Sequence, residues 1–308
     1  MLFMKSLNVL LLFVKKIIKR ILICIWEGQK SIVWLQRIIR QGRWEKLQCN
    51  LANNNKSLWI LANGPSLATQ LQEHFDIFLQ HDIMCVNKIS ATEYFEKLQP
   101  KYYVLVDPAF YDEQYKQLRC TPEDIRAVQE TFNCILKKLT WDMFLILPVE
   151  AKKNKDLIKS IICNSKIHIQ YVSTAKFYGY HWLKRVLLDK QLCSFGAINV
   201  LISSLYSAIH MGYKDISIFG ADHSWHRQFI VTEDNKIAVQ DPHFYGKDMS
   251  YTVLDDCNIS YILGCMVEAF DSYRELGDYA ITKDVKIKNA TPGSFIDAFE
   301  KIDYFHEL

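Results

Sequence analysis

Four polar residues stand at the ends of apolar runs, and their side chains suit the binding of a polar ligand. Asn63, Asn87 and Asp107 each follow a run of the kind that forms a buried strand, and Asp222 comes shortly after a fourth such run. In parallel α/β sheets, ligands bind beyond the carboxyl ends of the strands. The spacing therefore predicts that these four residues lie together at one edge of a sheet and form a binding site.

The segment 63–67 reads Asn-Gly-Pro-Ser-Leu and is typical of a tight turn between a strand and a helix. Gly64 permits a ligand to approach the backbone, and Ser66 is the expected N-cap of the helix. Together with the helix N-terminus, Ser66 offers hydrogen-bond donors to a phosphate or a carboxylate. The segment is neither a Walker loop nor a GxGxxG fingerprint, so it does not support P-loop or dinucleotide binding. A capped turn without a ligand is the alternative interpretation.

A second group of reactive side chains occupies 222–226, which reads Asp-His-Ser-Trp-His. His223 is a candidate base, because the adjacent Asp222 could orient its ring. Asp222, His223 and His226 are also metal ligands by residue type, although their spacing matches no familiar zinc pattern. Asp222 as the cap of a loop is the alternative interpretation.

A further histidine, His243, lies in an Asp-Pro-His-Phe-Tyr segment after two short apolar stretches that flank a turn. Those stretches, 229–231 and 237–239, predict a hairpin, and the region 224–256 predicts a lid over the site. Because imidazole accepts a proton near neutral pH, His243 is a candidate general base. A structural loop histidine is the alternative.

The elements that must position these residues alternate between strand and helix. Strands are expected at 58–62, 83–87, 102–107, 143–147, 216–220 and 287–290, with helices at 67–78 and 197–211 and a last helix at 295–302 capped by Ser294. This order predicts an α/β fold with a doubly wound, mostly parallel, Rossmann-like sheet. A helical N-terminal extension and the lid-like insertion are added to it.

The amino-acid composition excludes several classes of protein. The 308 residues are 50% hydrophobic, which is ample for a large core and argues against disorder. The nine cysteines are scattered singly, without a CxxC pair, so neither a structural zinc site nor a disulfide framework is expected. Reduced thiols in a cytoplasmic compartment are the simplest interpretation.

The N-terminal segment differs in charge from the remainder of the chain. Residues 1–46 carry ten Lys or Arg and two Glu, a net charge of +8, which leaves −5 on the rest of a chain of net charge +3. The longest run free of charge, 6–14, is shorter than the about 20 residues that a transmembrane helix needs. Basic residues interleaved with aliphatic ones favour amphipathic helices at an anionic membrane surface over nucleic-acid binding.

The expected organisation follows from this change in composition. Residues 1–52 are expected to be membrane-associating helices, with Trp26 and Trp34 at the interface, 53–56 a linker, and 57–308 the catalytic domain. The alternative is that these helices pack on the body of the protein, residues 57–308, or on a second subunit. A homo-oligomer is therefore also possible from the sequence.

The order of the motifs resembles that of the bacterial sialyltransferases of the Campylobacter type, glycosyltransferase family 42. The turn 63–67 is similar to that family's Gly-Asn-Gly-Pro-Ser-Leu, and Asn87 ends the second strand as in the family. Asp107 and Ser224 stand where the family has asparagine and tyrosine. The other similar stretches are Ser194-Phe195-Gly196-Ala197, Gly212-Tyr213-Lys214-Asp215-Ile216, Gly220-Ala221-Asp222 and 289–294. The resemblance covers about residues 57–300 and extends to the motility-accessory-factor and MptE-like proteins.

The resemblance implies a GT-A-variant fold and a sialyltransferase-like enzyme on the cytoplasmic face of the inner membrane, attached peripherally. Such an enzyme would move a nonulosonic acid or another sugar from a CMP-type nucleotide-sugar donor to a cell-surface glycan acceptor, in lipopolysaccharide or capsule synthesis. Transfer would be a metal-independent inverting displacement, with no cofactor. An ATP- and Mg²⁺-dependent pyrophosphokinase of the MptE type and a non-catalytic envelope-assembly protein are the alternatives.

Individual residues take their expected roles from the same resemblance. The catalytic set is His243, as the general base, with His223 and Asp222. The donor-binding set is Asn63, Gly64, Pro65, Ser66, Asn87, Asp107, Ser194, Gly196 and Tyr245.

Overall fold

A computed structural model describes residues 2–40, 45–48, 57–240, 251–254 and 257–305. The strands are β1 (Leu58–Leu61), β2 (Asp82–Val86), β3 (Tyr102–Val104), β4 (Met143–Pro148), β5 (Ile167–Val172), β6 (Asp215–Phe219), β7 (Phe229–Val231), β8 (Ile237–Gln240), β9 (Tyr251–Leu254), β10 (Lys286–Asn289) and β11 (Glu300–Lys301). The helices are α1 (Leu2–Arg40), α2 (Ser66–Phe78), α3 (Tyr94–Leu98), α4 (Glu113–Arg119), α5 (Pro122–Lys138), α6 (Lys155–Ile162), α7 (His181–Asp189), α8 (Val200–His210) and α9 (Ile259–Thr282).

Eight strands form one sheet in the order β11-β10-β6-β1-β2-β3-β4-β5, and every neighbouring pair is parallel. The chain proceeds outward from β1 to β5 and then returns to place β6 on the other side of β1. Strand order thus reverses between β1 and β6, which is the topological switch point of a doubly wound sheet. The predicted fold class, a doubly wound α/β sheet, is confirmed.

Alternate side chains of the strands enter two cores, one on each face of the sheet. On β1, Leu58 and Ile60 face a core covered by α7, α8 and α9, whereas Trp59 and Leu61 face a core covered by α2, α3, α5 and α6. All four side chains are fully buried. A strand that is covered on both faces has no reason to alternate apolar with polar residues, which explains its continuous apolar sequence.

The predicted strands and the helices at 67–78 and 197–211 are confirmed to within a few residues. The helix expected at 295–302 is wrong, because this segment ends in β11, which pairs with β10. Ser294 donates instead to the carbonyl oxygen of Ala221 at 2.6 Å, and Ile296 is fully buried. The contact between Ser294 and the loop after β6 therefore outweighs the local tendency of this segment to begin a helix at Ser294.

The N-terminal region forms one helix, α1, where the sequence suggested two amphipathic stretches. Its second half packs on the body, where Ser31 and Ile38 are buried. Beyond it, the backbone NH groups of Leu47 and Gln48 donate to the side chains of Gln191 and Gln170. Within the part of the chain that the structure describes, no helix is long and apolar enough to cross a bilayer.

The chain between β6 and α9, which we call the excursion, contains the predicted hairpin. β7 and β8 pair antiparallel, and β9 adds a third strand to this small sheet. The expected linker 53–56, together with His243 and Tyr245, lies outside the described residues.

Candidate functional site

A cavity of about 130 Å³ opens at the carboxyl ends of β1, β2 and β6. β1 and β6 flank the switch point, where a doubly wound sheet leaves a crevice outside the strand ends that binds ligands. The walls combine the strand-end turns with α8 and the start of the excursion, through Asn63, Gly64, Pro65, Asn87, Asn199, Asp222, His223, Trp225 and Gln228, among others. The structure therefore brings together three of the four strand-end residues that the sequence singled out.

Two amide oxygens of residues that line this cavity have no hydrogen-bond partner among the described residues. The Oδ1 atoms of Asn63 and Asn87 are buried, and neither accepts a hydrogen bond from the described residues. A buried polar atom without a partner is unfavourable by about 1 to 3 kcal/mol, so such atoms are rare and are characteristic of ligand sites. Both residues line the cavity.

Asn87 is held in an unusual backbone conformation. Its φ of 50° lies in the left-handed region, which asparagine tolerates better than most residues. The hydroxyl of Tyr103 donates to the carbonyl oxygen of Asn87 at 2.7 Å and fixes this turn. The fold thus maintains a less favourable conformation that places the Asn87 amide at the cavity.

The turn at 63–67 packs against the end of β6 through Asp222. The Ser66 hydroxyl donates to Asp222 Oδ2 at 2.8 Å, and the backbone of Ser66 also hydrogen-bonds the carboxylate. The prediction that Ser66 caps α2 is wrong, because Pro65 is the N-cap and makes no side-chain cap. A carboxylate from a distant strand therefore occupies the helix N-terminus that the sequence assigned to a ligand. Burial raises the pKa of Asp222, and the hydrogen bonds from Ser66 act in the opposite direction.

Gly64 is required by this close packing. A Cβ atom at Gly64 would overlap Asp222 Oδ2 and would lie 2.5 Å from the carbonyl oxygen of Gly220. That carbonyl accepts the Gly64 NH at 2.7 Å, so the two backbone segments cannot separate without losing the bond. Gly64 therefore keeps the turn and the β6 end in contact at the floor of the cavity.

We expect Gly64→Ala to lower the free energy of unfolding by about 1 to 3 kcal/mol, because the added methyl forces this packed backbone apart. Gly264→Ala is the matched control: Gly264 lies within α9 and a Cβ there meets nothing within 4 Å. The control should stabilise the protein by up to about 1 kcal/mol, as alanine does in an exposed helix. Urea unfolding of both variants measures this, and equal stabilities would contradict the role given to Gly64.

A hydrogen-bond chain selects the tautomer of His223. Asn199 Oδ1 accepts from the Leu201 backbone NH at 2.9 Å, which identifies that atom as the oxygen. The Tyr273 hydroxyl donates to the same oxygen at 3.0 Å, so its only hydrogen is used. His223 Nε2, 2.7 Å from the Tyr273 oxygen, is then the donor. In the neutral ring, Nδ1 of His223 is consequently left as a hydrogen-bond acceptor.

Burial keeps this ring neutral. His223 lies in the left-handed region with φ 54°, and its ring packs at a tilt on Trp225 with ring centroids 4.3 Å apart. Loss of solvation lowers its pKa to about 3. At neutral pH the ring is therefore uncharged, and Nδ1 is its hydrogen-bond acceptor. His223 is one of the residues that line the cavity.

A second cavity, of about 320 Å³, adjoins the first and shares Asn63 and Asn87 with it. Its wall contains Asp107, Lys88 and Arg119, so it carries charges of both signs. Asp107 Oδ1 accepts from the Ala109 NH at 2.8 Å and caps a short 3₁₀ turn. The shared asparagines connect an apolar and amide-lined space with a charged one.

Two further candidates, Ser194 and Gly196, lie apart from these two cavities. Ser194 is fully buried, and its hydroxyl accepts from the NH of Gly196 at 3.2 Å. Neither residue lines either cavity. The metal hypothesis for Asp222, His223 and His226 finds no counterpart, since no group of three suitable ligands occurs in the described ranges.

Several residues of the site were not identified from the sequence, among them Asn199, Tyr273, Lys88 and Arg119. Asn199 and Tyr273 build the chain to His223, and Arg119 lines the second cavity. Asn199 carries a detectable signal, because an asparagine before an apolar run is a typical N-cap, which it is for α8. Tyr273 lies in the middle of α9, where nothing in the local sequence distinguishes it.

Comparison with known proteins gives a similarity among solved structures but none among sequences. No protein-family model matches the sequence, and no curated protein sequence matches it. Among solved structures, the chain is similar to the MAf glycosyltransferase from Magnetospirillum magneticum AMB-1, with 14% sequence identity and a TM-score of 0.48. The similarity covers 85% of this chain and 36% of that one. The chain therefore spans little more than a third of the length of that glycosyltransferase.

Proposed function

We propose that this protein is a glycosyltransferase that takes a sugar from a nucleotide-sugar donor. The observation that carries the proposal is the cavity at the switch point, with the unpartnered amide oxygens of Asn63 and Asn87 in its wall. Nucleotides bind at this place in doubly wound sheets, and amide oxygens accept hydrogen bonds from ribose and sugar hydroxyls. The order of motifs shared with family 42 sialyltransferases adds support from the sequence.

Donor binding divides between the two cavities in this proposal. Asn63 and Asn87 lie at their common wall and accept hydrogen bonds from hydroxyls. Lys88 and Arg119 are the basic side chains of the second cavity, and we assign them to a phosphate or a sugar carboxylate of the donor; Asp107 and Asp124 line the same cavity. The Asp222 carboxylate at the start of α2 disfavours an anion at the other side. A CMP-type donor of a nonulosonic acid offers all of these groups.

Acceptor activation is assigned to a histidine. A general base works best when its pKa lies near the working pH. His223, with a pKa of about 3, is too weak a base but a good hydrogen-bond acceptor, so we assign it to a donor hydroxyl. His243 keeps the role of general base that the family resemblance implies. It would take the proton of the acceptor hydroxyl as that oxygen attacks the anomeric carbon and the nucleotide leaves with inversion, without a metal ion.

The test is a thermal-shift panel with CMP, CDP, UDP, GDP and ATP, each with and without divalent cations. We expect cytidine nucleotides to raise Tm by about 5 °C without metal at a hundredfold excess over Kd, because a ligand that binds only the folded state stabilises it by about 2.7 kcal/mol. A shift only with UDP and Mn²⁺ would overturn the donor assignment. A shift only with ATP and Mg²⁺ would indicate a pyrophosphokinase. If no nucleotide shifts Tm, the result would indicate a non-catalytic protein.

A further inference from the structure

The first half of α1 presents an exposed apolar surface that the proposed function does not use. The described side chains of residues 13–26 are all exposed, and Phe13, Ile21, Leu22 and Trp26 each leave more than half of their surface accessible. A contiguous apolar surface of this kind marks an interaction site. The question is which partner covers it.

Most apolar side chains of this segment lie on one side of the helix, and the basic side chains lie on the other. At about 100° per residue, positions 13, 14, 17, 18, 21, 22 and 25 fall within one arc of about 180°, whereas Ile23 and Trp26 fall among the basic residues. The basic residues Lys15, Lys16, Lys19 and Arg20 fall in the opposite arc. Lys15 and Arg20 stand at the two borders between the arcs, where long side chains can reach past the apolar surface to a polar partner.

Among the side chains of α1 that the structure describes, from residue 13 onward, those that contact the rest of the protein belong to its second half. The Tyr180 hydroxyl donates to the Cys24 carbonyl at 2.7 Å, and the Tyr180 NH donates to the Ser31 hydroxyl at 2.9 Å. Trp34 packs on Tyr178 with ring centroids 5.1 Å apart. Contacts of this kind anchor the helix from residue 24 onward and leave the apolar arc of residues 13–22 uncovered.

We propose that residues 13–26 of α1 bind the surface of an anionic lipid bilayer. The helix would lie in the interface with Phe13, Ile17 and Ile21 among the upper acyl chains, while Lys15 and Arg20 contact lipid phosphates. This attachment is independent of the nucleotide site. It holds the enzyme at a membrane without crossing it.

Two observations favour lipid over a second copy of the chain. Over its whole length, α1 contains eight Lys or Arg and one Glu, so two copies would bring like charges together, whereas anionic lipid complements them. The apolar arc is also wider than the narrow a/d seam of a coiled coil, so a second helix would leave Phe13 and Leu22 exposed.

The experiment is vesicle co-sedimentation of the full chain with phosphatidylcholine alone or mixed with phosphatidylglycerol. We expect binding to the mixed vesicles, and Ile18→Glu with Ile21→Glu should lower it at least about tenfold, since both charges would enter the apolar interface. Replacing Lys15, Lys16, Lys19 and Arg20 by Gln should lower it about 100-fold or more, at about fivefold per charge.

The matched control carries Glu at two exposed isoleucines on the ends of body helices, Ile162 and Ile281, which are 60% and 75% exposed. It should sediment as the wild type does. Circular dichroism and the thermal shift with nucleotide check that every variant is folded. Two results would overturn the proposal: vesicle binding that the α1 variants leave unchanged, or an oligomer, seen by light scattering, that those variants dissociate in a protein that does not bind vesicles.

Discussion

Replacement of His243 by asparagine should lower kcat by about 100-fold or more, because general-base catalysis contributes about 10²- to 10⁴-fold. The base acts on the acceptor hydroxyl during the chemical step, so the Kd of a cytidine nucleotide should change little. Release of CMP from a CMP-activated sialic acid in the presence of a glycan acceptor measures kcat. Calorimetry with CMP measures the Kd.

His223→Asn is the comparison variant, since asparagine tolerates the left-handed conformation that His223 adopts. It removes the acceptor nitrogen from the wall of the cavity, so we expect a weaker nucleotide Kd and a smaller change in kcat. Turnover near the wild-type value in His243→Asn would refute its role as the base. If His223→Asn then lost turnover with an intact Kd, the catalytic role would pass to His223.

Removal of the two unpartnered amides should weaken nucleotide binding without loss of stability. Asn87→Gly removes one amide and keeps the left-handed backbone, and we expect a Kd about tenfold higher, the equivalent of one lost hydrogen bond. Adding Asn63→Ala should bring the total to about 100-fold. In the absence of ligand, Tm should stay the same or rise, because a buried unpartnered atom is removed with each substitution.

Asn235→Gly makes the same change at a matched position. Asn235 has a φ of 59° and lies in the exposed turn between β7 and β8, away from both cavities. This variant should bind nucleotide as the wild type does. A loss of Tm in Asn87→Gly with an unchanged Kd would show that Asn87 serves the fold and not the ligand.

The location of the site was predictable because it depends on local patterns. Short apolar runs identify strands that are buried on both faces, and the polar residues that follow them mark the carboxyl edge of a parallel sheet. Asn63, Asn87 and Asp222 were recognised in this way, and all three line the first cavity. The apolar and basic residues of α1 likewise follow from a helical period that is visible in the sequence.

The contacts between segments that are distant in sequence are determined only by the tertiary structure. The sequence places Ser66 at a helix start but does not reveal that Asp222, 156 residues away, occupies that helix terminus. It contains no signal that Tyr273, 50 residues beyond His223, selects the tautomer of that ring. The strand order, and with it the switch point between β1 and β6, depends on packing of whole elements. Local periodicity determines which faces are buried, whereas partners that distant in sequence are chosen by the three-dimensional arrangement of those faces.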